Sequence, residues 1–292
     1  MGETLCLLSV HAHPDDESSK GAATVARYHA EGVHTVLVTC TGGEEGDILN
    51  PAMESEEVRA NLGAVRKAEL EAAIGVIGYD ELYWLGYRDS GMPDTDSNGH
   101  PESFAQGDFD EAVGRLVAII RRTRAQVILT YGDETRGYRH PDHVRVHEIS
   151  VVAFDRAGDP NAYPELGEAY QPLKLYYSAW ARQSFIARHE KFLELGLESP
   201  YAERMANGWL DRLPELEPTT FIDLGSYEQV RRLALLAHAT QIDPNSKHWF
   251  GLPEEVEAEL HPKDVFHLAK SSVATEIPED DLFAGVREFA AH

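Results

Sequence analysis

The chain has 292 residues, 42% hydrophobic and 9% aromatic, enough for one large α/β domain with a real core. A formal net charge of −24 argues against nucleic-acid and anionic-membrane partners, since both need a basic surface. No apolar run is long enough to span a bilayer, and the N-terminus carries no basic-then-apolar leader, so a cytoplasmic location is expected.

The first half alternates between strand and helix patterns. A strand is predicted over 5–10, a helix over 18–31 and a second strand over 34–40. The two cysteines, Cys6 and Cys40, fall in these strands and read as buried small hydrophobes. A Gly/Glu-rich loop then runs through Met53. A long charged helix over 54–77 follows, then a strand over 81–85, a polar loop over 88–107 and a helix over 109–124. The fourth strand spans 126–131, a loop 132–140, a helix 141–157 and the fifth strand 173–179. Units of this length imply a Rossmann-like, doubly wound, mainly parallel sheet of order 3-2-1-4-5 with helices on both faces. Later patterns are weaker: a helix over 185–195, a strand over 220–224, a helix over 227–239, then loop and short helices. Residues 1–180 are expected to form the catalytic core and 181–292 an appended α/β region capping the site, within one compact unit.

Two turns carry the chemistry. His11-Ala12-His13-Pro14-Asp15-Asp16-Glu17-Ser18 follows the first strand, and His140-Pro141-Asp142-His143 precedes the helix after the fourth. So many ionisable groups on one tight turn repel unless something organises them, and a divalent metal does that well. In a 3-2-1-4-5 sheet the first and fourth strands are neighbours. Ligands bind at that switch point, beyond the carboxyl ends of the strands, so the two turns are expected to meet.

His13, Asp16 and His143 supply a two-histidine, one-carboxylate set suited to Zn2+, and equally to Fe2+. His11 and His147 compete for the ligand role and read as supporting or packing residues, with Asp142 a partner for a ligating imidazole. Asp15, beside ligand Asp16, is placed to take a proton from an activated water. His140 and Tyr138 are donors for an oxyanion or leaving group. Metal, base and donors together describe hydrolysis of an amide. The Gly-rich run Thr41–Gly46 has neither G-x-G-x-x-G nor a P-loop lysine, which disfavours a dinucleotide-dependent dehydrogenase.

The runs Ala12–Glu17 (AHPDDE) and His140–His143 (HPDH) resemble the signatures of the LmbE-like (PIG-L) zinc deacetylase superfamily. The resemblance extends through Thr41–Met53 (TGGEEGDILNPAM), Leu85–Gly91 (LGYRDSG) and His238–Pro244 (HATQIDP), and so covers most of the chain. Within the superfamily it points to the mycothiol S-conjugate amidases, whose sister group deacetylates N-acetylglucosaminyl-inositol. It implies one zinc per chain on His13, Asp16 and His143, with Asp15 as general base. It further implies His140 as acid or electrostatic catalyst, Tyr138 polarising the carbonyl, and Arg66 and Asp89 holding sugar or inositol hydroxyls. Lys20 and the run Asp47-Ile48-Leu49-Asn50-Pro51 favour the amidases.

The expected activity is hydrolysis of the amide of a small-molecule thiol conjugate, for detoxification. The alternatives are deacetylation in mycothiol biosynthesis, an amidase dedicated to antibiotic biosynthesis, or a non-catalytic sugar-binding module. Retention of Asp15 argues against the last. The sequence is compatible with a homo-oligomer.

Overall fold

The computed structural model describes residues 4–135, 139–179, 182–212 and 216–289. The first half runs β1 (Cys6–His11), α1 (Asp16–Ser19), α2 (Ala22–Ala30), β2 (His34–Thr41), α3 (Glu56–Ala60), α4 (Leu62–Ile77) and β3 (Glu81–Tyr87). It continues with α5 (Phe109–Thr123), β4 (Val127–Tyr131), α6 (Pro141–Ala157) and β5 (Lys174–Ser178). The remainder is α7 (Arg182–Glu194), α8 (Ala202–Ala206), β6 (Thr220–Asp223), α9 (Glu228–Ala237), α10 (Lys247–Phe250), α11 (Glu254–Leu260), β7 (Lys263–Ser271) and α12 (Val286–Phe289).

The sheet order is β3-β2-β1-β4-β5-β7-β6. Its first five strands are parallel and reproduce the expected 3-2-1-4-5 order. Alternation along β1 divides the core between the two faces. Leu8 and Val10 pack with Val38, Leu116 and Ile149, whereas Leu7 joins Tyr28, Val127, Tyr176 and Phe283. Both cysteines are free and buried, and burial pushes the Cys6 thiol up to about 12. Among the described residues, no helix is long and apolar enough to cross a membrane.

Three local expectations are corrected. The helix expected over 18–31 is two helices, because Gly21 takes φ 100° between them, a left-handed conformation that glycine adopts without a Cβ penalty. The helix expected over 54–77 is interrupted at Asn61, whose φ of −123° lies outside the helical range; Ser55 caps the first piece through Val58 N–H. Finally, 263–271 is a strand rather than loop. β7 pairs antiparallel with both β5 and β6, so chain from beyond residue 180 continues the sheet. Within β7 only Phe266 is buried, and the apolar residues fall in adjacent pairs, Val265-Phe266 and Leu268-Ala269, which leaves little of the apolar alternation that marks a strand.

Candidate metal centre

The turn after β1 and the loop after β4 meet at the carboxyl ends of their strands. Tyr131, the last residue of β4, joins the two: its hydroxyl accepts the Ala12 N–H at 2.8 Å and donates to Asp16 Oδ2 at 2.7 Å. Its ring stacks on His143, with centroids 4.4 Å apart and planes 12° from parallel. Asp15 bridges the turn at φ 111° and ψ −24°. A non-glycine residue held there costs on the order of 1–3 kcal/mol, and such strain persists where surrounding contacts over-determine it. Those contacts are visible. Arg66 donates to Asp15 Oδ2 at 2.8 Å and to the carbonyls of Pro14 (2.5 Å) and Gly43 (2.6 Å).

His13, Asp16 and His143 converge, with one candidate ligand atom from each lying within 4.8 Å of the others. His13 Nδ1 and His143 Nε2 each lie 3.5 Å from Asp16 Oδ2. The opposite ring nitrogens are engaged by carboxylates: His13 Nε2 with Asp142 at 3.2 Å, and His143 Nδ1 with Glu134 at 2.7 Å. Asp142 is itself held by the N–H and hydroxyl of Ser90. This carboxylate–imidazole arrangement orients metal-binding histidines and fixes which nitrogen faces the ion. A second group, His13, Asp89, His140 and Asp142, is equally compact and shares His13. Since His13 Nε2 is already on Asp142, the first group fits a divalent ion better.

Electrostatics agree with that fit. Burial pulls His13 down, yet Asp142, Asp16 and Asp89 together hold it well above the ordinary histidine value. Burial likewise opposes His143, which Asp16 and Glu134 raise. Asp16, despite burial, is held well below the usual carboxylate range by Lys20 and the two histidines; Lys20 Nζ sits 2.5 Å from Oδ1. A cluster that draws protons onto its imidazoles demands positive charge, and a divalent cation meets that demand in place of the protons.

Around the cluster, His140 stands edge-on to His13 at 4.5 Å and is lowered to about 3, by burial first and then by His13 and His143. Its Nδ1 accepts the Asp142 N–H at 3.2 Å, which leaves the ring proton on Nε2 as a donor. Asp89 is buried; Oδ1 accepts Gly91 N–H at 2.8 Å and lies 3.6 Å from His13 Nε2. Burial raises Asp15, partly offset by Arg66. Tyr138 lies outside the described residues.

His11 and His147 are in neither compact group. His11 is buried against Tyr131 and lowered to about 4 by burial, and His147 Nδ1 lies 3.1 Å from the Tyr131 carbonyl oxygen. Sequence reasoning missed Tyr131 and Glu134. Their position, at and just beyond the carboxyl end of β4, is the signal that points to them.

Residues 8–154 match the PIG-L family, described as GlcNAc-PI de-N-acetylase. The chain belongs to the PIG-L family. It is 48% identical to the mycothiol S-conjugate amidase of Streptomyces coelicolor, over 99% of this chain and 100% of the relative. It is 40% identical to the 1D-myo-inositol 2-acetamido-2-deoxy-alpha-D-glucopyranoside deacetylase of Geodermatophilus obscurus, over 96% of this chain and 97% of the relative. Among solved structures, the N,N'-diacetylchitobiose deacetylase of Pyrococcus horikoshii shares the fold at a TM-score of 0.62 and 16% identity, covering 91% of this chain and 84% of that one. This PIG-L chain is accordingly a hydrolase of the amidase and deacetylase type.

Proposed function

We propose that this PIG-L chain is a zinc-dependent amidase acting on mycothiol S-conjugates. It would hydrolyse the amide between an S-substituted N-acetylcysteine and glucosaminyl-inositol, in thiol-based detoxification. The observation that carries the reading is the convergence of His13, Asp16 and His143 beside a carboxylate, Asp15, that ligation does not need. The choice of acyl group is supported by the 48% identity to the Streptomyces coelicolor amidase, against 40% for the Geodermatophilus obscurus deacetylase.

His13, Asp16 and His143 would hold the ion, which supplies Lewis-acid polarisation of the amide carbonyl and acidifies the attacking water. Lys20 occupies Asp16 Oδ1 and so leaves Oδ2 to face the histidines. Asp15 takes the water's proton and then delivers it to the leaving amine; its raised proton affinity suits both acts. His140, neutral and carrying its proton on Nε2, donates to the developing oxyanion, with Tyr138 assigned to the same oxygen. Asp89 is assigned to a sugar or inositol hydroxyl. Arg66 shares that assignment and also orients Asp15 through the 2.8 Å contact.

The test is turnover by zinc-loaded protein of a bimane S-conjugate of mycothiol against N-acetylglucosaminyl-inositol. The conjugate is expected to be cleaved with kcat/KM at least about tenfold higher. Cleavage of the acetyl sugar alone would replace the amidase with the deacetylase.

A further inference from the structure

Behind the metal-binding turn lies a fully buried pair that the reaction above does not use. Glu17 and His238 are both 0% exposed, and His238 Nε2 meets Glu17 Oε1 at 2.7 Å. Glu17 belongs to the turn; His238 follows α9, far along the chain. The same Glu17 oxygen accepts the Ser18 hydroxyl at 2.5 Å, and the other, Oε2, accepts the backbone N–H of Asp15 at 2.9 Å. Asp15 is the residue held at φ 111°.

The strained backbone is therefore gripped from both sides. Arg66 holds the Asp15 carboxylate and the Pro14 carbonyl ahead of it, while Glu17 holds the N–H between them. Of the two donors on Oε1, the Ser18 hydroxyl belongs to the same turn, whereas the His238 imidazole ties the carboxylate to chain outside it. The segment after His238 is anchored independently: Glu69 of α4 accepts the N–H and hydroxyl of Thr240, each at 2.7 Å. The imidazole is thus delivered by a braced stretch of chain.

We infer that His238 is a positioning residue: acting through Glu17, it fixes the backbone of Asp15 and so aims the general base. The inference rests on the reading of Asp15 as base. It assigns part of the base's geometry to the region after residue 180. A carboxylate displaced by even an ångström from its attack geometry loses on the order of a hundredfold in rate, so the pair acts on kcat and leaves substrate binding alone.

The experiment compares His238→Phe, His238→Gln, Glu17→Gln and Asp15→Asn in the zinc-loaded full chain, with zinc content, kcat and KM measured on the bimane S-conjugate and the N-acetyl sugar. His238→Phe fills the space and removes the donor. It should lower kcat by roughly 10- to 100-fold with KM within about twofold and zinc retained. His238→Gln places an amide N–H near the same oxygen and should recover most of that loss. Glu17→Gln preserves the packing and should show the same kcat-selective fall, and it decides the matter if His238→Phe does not fold. Unchanged kcat in Glu17→Gln, or a loss in His238→Phe that His238→Gln does not relieve, would reduce the pair to packing and overturn the inference. An active Asp15→Asn would instead overturn the reading of the base, whatever the pair does.

Discussion

Two buried polar clusters lie at different strands of the same sheet, and they are built on opposite plans. At β5, the Lys174 ammonium meets Glu279, and both are fully buried. Glu279 also accepts from Tyr176 (2.7 Å), Thr220 (2.8 Å) and Thr275, while Lys174 donates to the Ala284 carbonyl at 3.0 Å. That network is closed: one positive group, one negative group, and donors for both carboxylate oxygens. At the ends of β1 and β4, Asp16, Asp89, Asp142 and Glu134 surround two imidazoles whose ring nitrogens converge on one carboxylate oxygen. There the chain supplies more negative charge than it neutralises. A closed network specifies structure, and an open one marks where a ligand completes the protein.

The contrast is broken most directly by removing the ion. Chelation is expected to abolish turnover and to lower the melting temperature, with zinc restoring both. At free zinc about a hundredfold above its dissociation constant, the ion contributes about 2.7 kcal/mol. Full activity and an unmoved melting temperature after exhaustive chelation would mean that the His13–Asp16–His143 cluster is as closed as the Lys174–Glu279 network.

Glu279→Gln tests the other half. It strands a buried ammonium, so urea unfolding should show a loss of about 3–5 kcal/mol with kcat of the folded enzyme unchanged. A loss below about 1 kcal/mol would deny the Lys174 pair its structural role.

A smaller effect sharpens the comparison at two neutral histidines. Burial, reinforced by nearby arginines, lowers His248 to about 4 and His261 to about 3, from an unperturbed 6.5. Their folded values lie below the unfolded one. Unfolding therefore takes up protons as pH falls, and their contribution is present above about 6.5 and lost on the way down towards 4 and 3. His261→Gln should flatten the decline of unfolding free energy between pH 6.5 and 4.5 without altering kcat. An identical slope in the variant would show that His261 is solvated.

The convergence of His13, Asp16 and His143 was legible because the runs that carry them are local. HxxD and HPDH each place their groups on a few consecutive residues, and the strand order brings the two runs together. What was not legible depends on distance along the chain. Glu134 is an ordinary acidic loop residue until His143 Nδ1 is found 2.7 Å away. Arg66 suits a polyol on chemistry alone, and only the fold turns its guanidinium onto Pro14, Gly43 and Asp15. Glu17 and His238 lie in separate motifs, and nothing in either predicts that they touch. β7 escaped for a different reason: a strand with one buried residue and its apolar residues in adjacent pairs does not carry the period-2 signal.

The antiparallel insertion of β7 has a consequence for synthesis. During translation, β5 can pair with β4 as soon as both have left the ribosome, but its other edge finds its partner only after the chain between Ser178 and Lys263 has been made. Until then the nascent protein exposes a strand reading Lys174-Leu175-Tyr176-Tyr177-Ser178, with an unpaired row of peptide groups and two tyrosines. Such an edge invites pairing with another chain. Completing the sheet late in this way gives β7 a second duty, as the cover that ends the nascent chain's exposure to aggregation.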